Sequence, residues 1–310
     1  MTACTSCGGT PFFTRRYSGE VLCRSCFRDS IVEKTRRTIS KYRMVSRGER
    51  VGVAVSGGKD SLSLLHVMDE LGSQNAWELV ALSVDEGVQG YRDEAIAHAR
   101  SAADKLGVQH VVLSYKDLYG FSLDQALGWD GRDTSSCSFC GVFRRRAIDE
   151  AAAKAGVAVV ATAHNLDDYV QTFLMNLLHG DVGRIGWLDP SHSGPEFPIR
   201  RVKPFMEIYE EEVALFAYVA GIPFQSVSCP YMHEGLRSEV RDYLNEMEVK
   251  HPGMKNVLFR SSLDIISHYD SSEGRISIPC TRCGKPSSSG LCSVCRLKEE
   301  VDHHVNLTDR

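Results

Sequence analysis

Apolar positions along the chain fall into two alternating kinds of segment, short β-rich runs and longer stretches with helical spacing. Residues 51–55 (V-G-V-A-V) read as a buried parallel strand that breaks at Ser56-Gly57-Gly58, directly before a helical pattern starting at Asp60. Residues 77–84 (W-E-L-V-A-L-S-V) read as a second strand ending at Asp85-Glu86-Gly87, and 92–106 as a helix closed by Gly107. Residues 109–114 and 157–163 give a third and a fourth strand, and 222–228 predict a fifth. Helical spacing also covers 30–47, a stretch starting near Glu207, 236–248 and 256–269. Strands alternating with helices predict an α/β fold, a parallel sheet with helices on both faces. Ligands of such sheets sit beyond the carboxyl ends of the strands, which points to Ser56, Asp85, His164 and the segment after Val227.

Composition leaves this picture unchanged: 310 residues, 43% hydrophobic and 25% charged, suit a soluble chain of one large or two modest domains. No apolar run approaches the roughly 18 residues of a membrane span, and the N-terminus lacks the basic-then-apolar order of a secretory signal. A cytoplasmic protein without a membrane partner is expected. Cysteine usage adds two metal units. Eight of the 11 cysteines form C-x2-C pairs at the chain ends, Cys4, Cys7, Cys23 and Cys26 at one and Cys280, Cys283, Cys292 and Cys295 at the other. Four thiolates satisfy the tetrahedral preference of structural zinc, so two Zn²⁺ are expected; disulfides are the competing use of such pairs. A unit this short cannot bury a core, and metal binding must supply its folding free energy, on the order of 10–16 kcal/mol. The division that follows is an N-terminal zinc finger (1–30), a basic linking helix (31–49), a sheet domain (50–270), a C-terminal zinc finger (276–298) and a tail (299–310).

Charge is uneven. The net −4 combines +7 in residues 1–50, where eleven Lys and Arg face four acids, with −11 in the rest. A basic arm on an acidic body fits a polyanion partner, with Arg36, Arg37, Lys41 and Arg43 as candidate contacts; a solvated helix face is the other reading. Arg200, Arg201 and Lys203 serve equally as phosphate ligands or as loop solvation.

Strand, glycine turn and helix start at 51–61 make a phosphate cradle, since the glycines let backbone approach an anion and the helix directs free N–H groups at it. Lys59 is followed by Asp60, not Ser or Thr, so this is no Walker loop. His164-Asn165-Leu166-Asp167-Asp168 opens a long helix, where Asn165 and Asp168 suit a capping arrangement or, for Asp168, a carboxylate beside phosphates bridged by Mg²⁺. Cys137 and Cys140 suit a helix start near Arg144, Arg145 and Arg146, and Cys229 follows the expected fifth strand. On residue chemistry alone this trio fits zinc, redox chemistry or an iron–sulfur cluster.

S-G-G-K-D-S resembles the PP-loop of ATP pyrophosphatases. Together with A-H-N-L-D-D-Y-V-Q-T, C-S-F-C-G-V-F-R-R-R-A-I-D, R-R-V-K-P-F, the C-P-Y cysteine and the terminal cysteine pairs, it makes nearly the whole chain similar to the TtuA and cytosolic tRNA 2-thiolation family. The resemblance implies a PP-loop ATP pyrophosphatase domain flanked by two zinc fingers, usually a homodimer, with a [4Fe–4S] cluster on Cys137, Cys140 and Cys229. It implies a tRNA uridine 2-sulfurtransferase that adenylates the C2 oxygen with ATP and replaces it with sulfur, from a ubiquitin-like thiocarboxylate carrier or from free sulfide. ATP would lie on Ser56, Gly57, Gly58 and Ser61, with Ala54, Val84 and Ala163 near the adenosine, and Asp60, Arg144 and Asp168 would be catalytic. Cytidine 2-thiolation by a related branch, and a non-catalytic zinc-ribbon RNA-binding protein, are the rival readings. The cysteine segment resembles the wobble-uridine branch more than the one acting on the T-loop.

Overall fold

A computed structural model describes residues 3–128, 134–190, 199–232, 236–268 and 278–308. β1 (Phe13–Arg15) and β2 (Glu20–Leu22) pair antiparallel inside the first cysteine unit and lead into α1 (Arg24–Lys41). This helix starts between Cys23 and Cys26 and ends at Lys41, so the unit and the linking helix overlap where a junction near residue 30 was expected.

Five parallel strands form the central sheet: β3 (Arg50–Ala54), β4 (Glu78–Asp85), β5 (Gln109–Ser114), β6 (Val159–Ala161) and β7 (Arg200–Val202). Their order is β5-β4-β3-β6-β7, so the direction of winding reverses between β3 and β6 and opens a crevice at their carboxyl ends. The fifth strand is thus β7. Residues 222–228 carry no strand pairing, because Pro223 has no N–H and the Gln225 N–H goes to the Gly57 carbonyl at 3.1 Å.

Strand alternation decides which helix covers which face. Val51, Val53, Ala81 and Ala161 point into the main core with side chains of α2 (Lys59–Asn75), α3 (Arg92–Leu106), α7 (Leu166–Leu178) and α9 (Glu210–Val219). Val80, Leu82 and Val160 point the other way, against Ala151, Ala152 and Ala155 of α6 (Ser136–Ala155). A further apolar cluster joins Tyr115 and Tyr119 of α4 (Tyr115–Tyr119) and Leu123 of α5 (Leu123–Leu127) to Phe139 and Phe143 of α6, and to Leu297 and Val301 of α12 (Ser293–Thr308). α12 therefore runs through the region read as a tail from 299, because burying Val301 on α6 keeps the chain helical. α8 (Val182–Gly186), α10 (Leu236–Lys250) and α11 (Met254–Ser267) complete the helices; Tyr269, the expected end of the last of these, lies outside the described residues. β8 (Ile278–Pro279) and β9 (Pro286–Ser287) form the hairpin of the second cysteine unit. Among the described residues no helix is long and apolar enough to cross a membrane.

Candidate functional site

The loop after β3 is shaped by its own hydroxyls. Ser61 Oγ accepts from the Ser56 N–H at 3.0 Å and donates to the Gly58 carbonyl at 3.0 Å, and the Ser56 and Ser61 hydroxyls lie 3.1 Å apart. Gly57 has φ +88°, and a Cβ there would stand 2.2 Å from the Ala95 carbonyl oxygen of α3, so only glycine fits. Gly58 caps α2, whose first turns leave N–H groups facing the crevice. Ala54 ends β3 directly before this loop, Val84 is the next-to-last residue of the neighbouring β4, and Ala163 follows β6. Val84 is buried, and its carbonyl is taken by the Arg92 guanidinium at 2.9 Å.

Lys59 bridges Asp60 and Glu210, each at 2.9 Å. Burial pushes the Asp60 carboxyl above its ordinary range despite Lys59, with Glu210 and Asp168 adding to the rise. Asp168 is likewise raised by burial, against the opposing Asn165 N–H. Asn165 and Asp168 form the expected capping box of α7, at 3.0 and 3.2 Å, which leaves one Asp168 carboxylate oxygen available to a ligand. Asp167 is structural: it accepts from the Glu210 N–H at 2.7 Å and pairs with buried Lys255. His164 stays open to solvent on the cleft side, with Nδ1 2.9 Å from the Thr162 hydroxyl. Desolvation by the surrounding cleft, then the cations Lys203, Arg237 and Arg201, holds its imidazole below the ordinary value, which favours the neutral form at physiological pH.

Cys137 and Cys140 occupy the first turns of α6, whose N-cap Ser135 accepts from the Ser138 N–H. Cys140 is buried, its sulfur 3.2 Å from Arg144 Nη2 and 3.5 Å from the Tyr115 hydroxyl. Cys137 is exposed and lies 3.8 Å from the Tyr231 carbonyl, which brings the segment carrying Cys229 to the same helix start. Among the described residues only the two terminal sets bring their thiols all within 4.8 Å of one another.

Sequence reasoning missed the residue joining these regions. Glu86 is buried and binds Arg92 Nε at 2.6 Å with one oxygen and Arg144 Nε at 2.7 Å with the other. Arg92 also donates to the Ser56 carbonyl at 2.6 Å, so hydrogen bonds run without a break from the glycine loop to the Cys140 sulfur. The D-E-G after β4 marked the place but gave no partner.

Both terminal units fit zinc. Tetrahedral thiolates about 2.3 Å from zinc lie roughly 3.8 Å apart, and the structure has Cys7 and Cys23 sulfurs at 3.6 Å and Cys283 and Cys292 at 3.7 Å. The Ser25 hydroxyl and the Cys26 N–H pull the Cys23 thiol down to about 6, and the amides of Cys292 and Cys283 do the same for Cys280, so both can ligate as thiolates at neutral pH.

Two of the expected RNA contacts meet, Arg200 Nη1 donating to the Arg43 carbonyl at 3.2 Å, and most of the set is paired with acids. On α1, Arg36 and Arg37 both pair with Glu33 at 2.7 Å and Lys41 with Glu207 at 2.7 Å, while Arg43 is exposed. On β7, Arg200 reaches Glu49 at 3.4 Å and Arg201 reaches Asp149 at 2.6 Å.

A family model for the PP-loop domain matches residues 30–247. Cytoplasmic tRNA 2-thiolation protein 1 of Chlamydomonas reinhardtii is 36% identical over 304 residues, covering 96% of this chain and 85% of that protein. The Xenopus laevis protein of the same name is 36% identical over 306 residues, covering 96% and 88%. Among solved structures, the U34-tRNA thiolase NcsA of Methanococcus maripaludis, with its [4Fe–4S] cluster, matches at TM-score 0.83 and 30% identity over 97% of this chain and 96% of that one. A glycine loop at the sheet's reversal point, a cysteine helix beside it and relatives alike along the whole chain lead to one assignment: the chain belongs to the PP-loop family, in its cytoplasmic tRNA 2-thiolation branch.

Proposed function

We propose that the protein is a cytoplasmic ATP-dependent tRNA 2-thiouridine synthetase acting on the wobble uridine. The carrying observation is the bonded path Ser56–Arg92–Glu86–Arg144–Cys140, which fixes the nucleotide loop and the cysteine helix as one unit. Two half-reactions that share an intermediate need such a fixed distance.

In this reading the backbone of Gly57 and Gly58 and the hydroxyls of Ser56 and Ser61 hold the ATP phosphates, with Ala54, Val84 and Ala163 along the adenosine. The uridine C2 oxygen attacks the α-phosphorus and pyrophosphate leaves; sulfur then adds at C2 and AMP leaves with the oxygen. Arg144 stabilises the charge that develops on the phosphate, held in place by Glu86. Asp60 and Asp168 would hold Mg²⁺, which neutralises phosphate charge when bound. Cys137, Cys140 and Cys229 would hold a [4Fe–4S] cluster, which would supply the sulfur-transfer chemistry when bound. The chain acts as a homodimer, with residues 50–270 as the catalytic domain between two zinc units, and takes its sulfur from a ubiquitin-like thiocarboxylate carrier or from free sulfide. The wobble base suits this chemistry because it is already splayed in its loop.

The test is anaerobic reconstitution with iron and sulfide, then ATP and unmodified tRNA, with nucleoside mass spectrometry as readout. Wild type should form 2-thiouridine at position 34 and release AMP and pyrophosphate. Cys137→Ala, Cys140→Ala and Cys229→Ala should each lose thiolation while still binding ATP. Product at position 54 alone would move the target, thiocytidine would move the base, and no thionucleoside would defeat the reading.

A further inference from the structure

The cleft has a second wall that the ATP chemistry leaves unused. The Thr162 N–H bonds the Val202 carbonyl at 2.9 Å, which sets the segment leading to His164 beside the one leading to Lys203, beyond the ends of β6 and β7. Arg145 arrives from α6, its carbonyl accepting from Arg201 Nη2 at 3.0 Å. Arg237 arrives from α10 and leans on Gln171 and Thr172 of α7, each at 3.3 Å. Arg184 adds a further cation from α8.

These charges act on one another. Burial, then Arg201, Arg184 and Arg144, lowers Arg145, and burial followed by Arg201 lowers Lys203, with Asp189 opposing. Arg201 and Arg184 have acids in contact, Asp149 at 2.6 Å and Asp181 at 3.0 Å. Among the described residues, neither Arg145 nor Lys203 has an acid within ion-pair distance. Like charges held together this way favour an incoming anion.

The turn after α8 follows Arg184, whose charge acts on Arg145, and includes Asp189, whose charge acts on Lys203. Within that turn Trp187 is 53% exposed. An exposed indole one helical turn after Arg184 offers a single strand a face for a base, and the cations beyond β6 and β7 offer charges for its phosphates. The glycine loop is two strands away in the sheet order, roughly 10 Å at the usual strand spacing, and has its own N–H donors for the triphosphate.

We propose that Trp187, Arg145 and Lys203 form the surface that receives the single-stranded RNA segment carrying the target base, with Trp187 stacking on a neighbouring base and the two cations contacting phosphates. This rests on the tRNA reading above and identifies the wall of the cleft on which the RNA lies.

Fluorescence anisotropy with unmodified tRNA and with an anticodon stem-loop oligonucleotide, across a salt series, tests it. Trp187→Ala should weaken binding roughly 5- to 150-fold with an unchanged salt slope, and Trp187→Phe should restore most of the loss. The Arg145→Gln/Lys203→Gln double variant should reduce the salt slope by about two. Calorimetry should find ATP affinity unchanged in all three. Wild-type RNA affinity and slope in both the Trp187→Ala and the double variant, from a protein that still thiolates tRNA, would overturn this surface alone. A loss of ATP affinity in the double variant would overturn it too, by assigning the cations to the triphosphate. A wild-type protein that binds no tRNA would remove the functional reading with it.

Discussion

The two cysteine units have the same ligand set but are fastened to the sheet domain by different physics. The N-terminal unit is anchored by buried charge: Glu212 of α9, fully buried, takes Arg15 at 2.5 Å and Lys34 at 3.1 Å, and accepts from the Tyr17 hydroxyl at 3.2 Å. Leu22, Phe27 and Ile31 of this region join the main core. Three cysteines of the C-terminal unit instead form a small cluster of their own, tied on through Leu297 and Val301 and through half-exposed polar contacts. Arg146 lies 3.8 Å from the Cys283 and Cys292 sulfurs, Lys285 3.2 Å from Glu150, and Lys298 2.8 Å from the Tyr119 carbonyl. Each unit braces one half of the site. The first holds α9, whose Glu210 meets Lys59, and the second holds α6, which carries Cys137 and Cys140.

The largest expected effect separates the two units by what their loss damages. Cys7→Ser should abolish zinc binding at the first unit and lower the thermal transition of the whole protein, because metal-dependent folding on the order of 10 kcal/mol is coupled there to the main core. Cys283→Ser should release the second zinc with a smaller change in the transition, and should speed the loss of iron after reconstitution by loosening α6. Zinc content, calorimetry and iron release measure all three. Equal losses of stability in the two variants would break the distinction.

Next in size is the charge network itself. Glu212→Gln leaves Arg15 and Lys34 without their carboxylate and should cost about 3–5 kcal/mol, whereas Arg146→Gln, half-buried and bonded only weakly, should cost under about 1 kcal/mol. Burial alone would push the Glu212 carboxyl up, but Lys34 and Arg15 outweigh it and hold it below the usual range. With a folded value below the unfolded one, the unfolded state binds more protons, so this stabilisation is present above about pH 4.5 and lost as pH falls through the folded value. The gap in stability between wild type and Glu212→Gln should therefore narrow in acid. Denaturant titrations from pH 7 down to pH 3 check the sign.

Much of the site could be read from local pattern, and its fastenings could not. The glycine loop, the capping box at Asn165 and Asp168 and the cysteine pairs are short-range signals, each complete within a few residues, and each appears as expected. The strand β7 was missed because R-R-V has only three residues and two charges at a sheet edge, while residues 222–228 looked more apolar. Arg15 and Glu212 lie 197 positions apart, and Glu86 and Arg144 58, so no periodicity could pair them. Charge counting alone gave α1 a free basic face, yet Arg36, Arg37 and Lys41 all have acids in contact.

That last difference sets the smallest prediction, on the helix that leaves the first unit. Counterion release scales with the phosphates a cation neutralises, and a side chain already paired must give up its acid to reach one. Arg36 and Arg37 share Glu33, whose carboxyl they hold down to about 2, and Lys41 leans on Glu207, whereas Arg43 is exposed and makes no ion pair among the described residues. If α1 approaches the RNA, Arg43→Gln should lower the salt slope of tRNA binding by about one, and Arg36→Gln, Arg37→Gln and Lys41→Gln by less than about one each. The helix of the second unit, α12, sets Arg296 and Lys298 against Glu299, Glu300 and Asp302, and Lys298→Gln, whose ammonium already meets Asp302 at 3.1 Å, should change the slope by less than Arg43→Gln. A salt slope unchanged when Arg36, Arg37 and Lys41 of α1 and Arg43 just after it are all neutralised would leave α1 a brace for the nucleotide side of the site and confine RNA binding to the cleft.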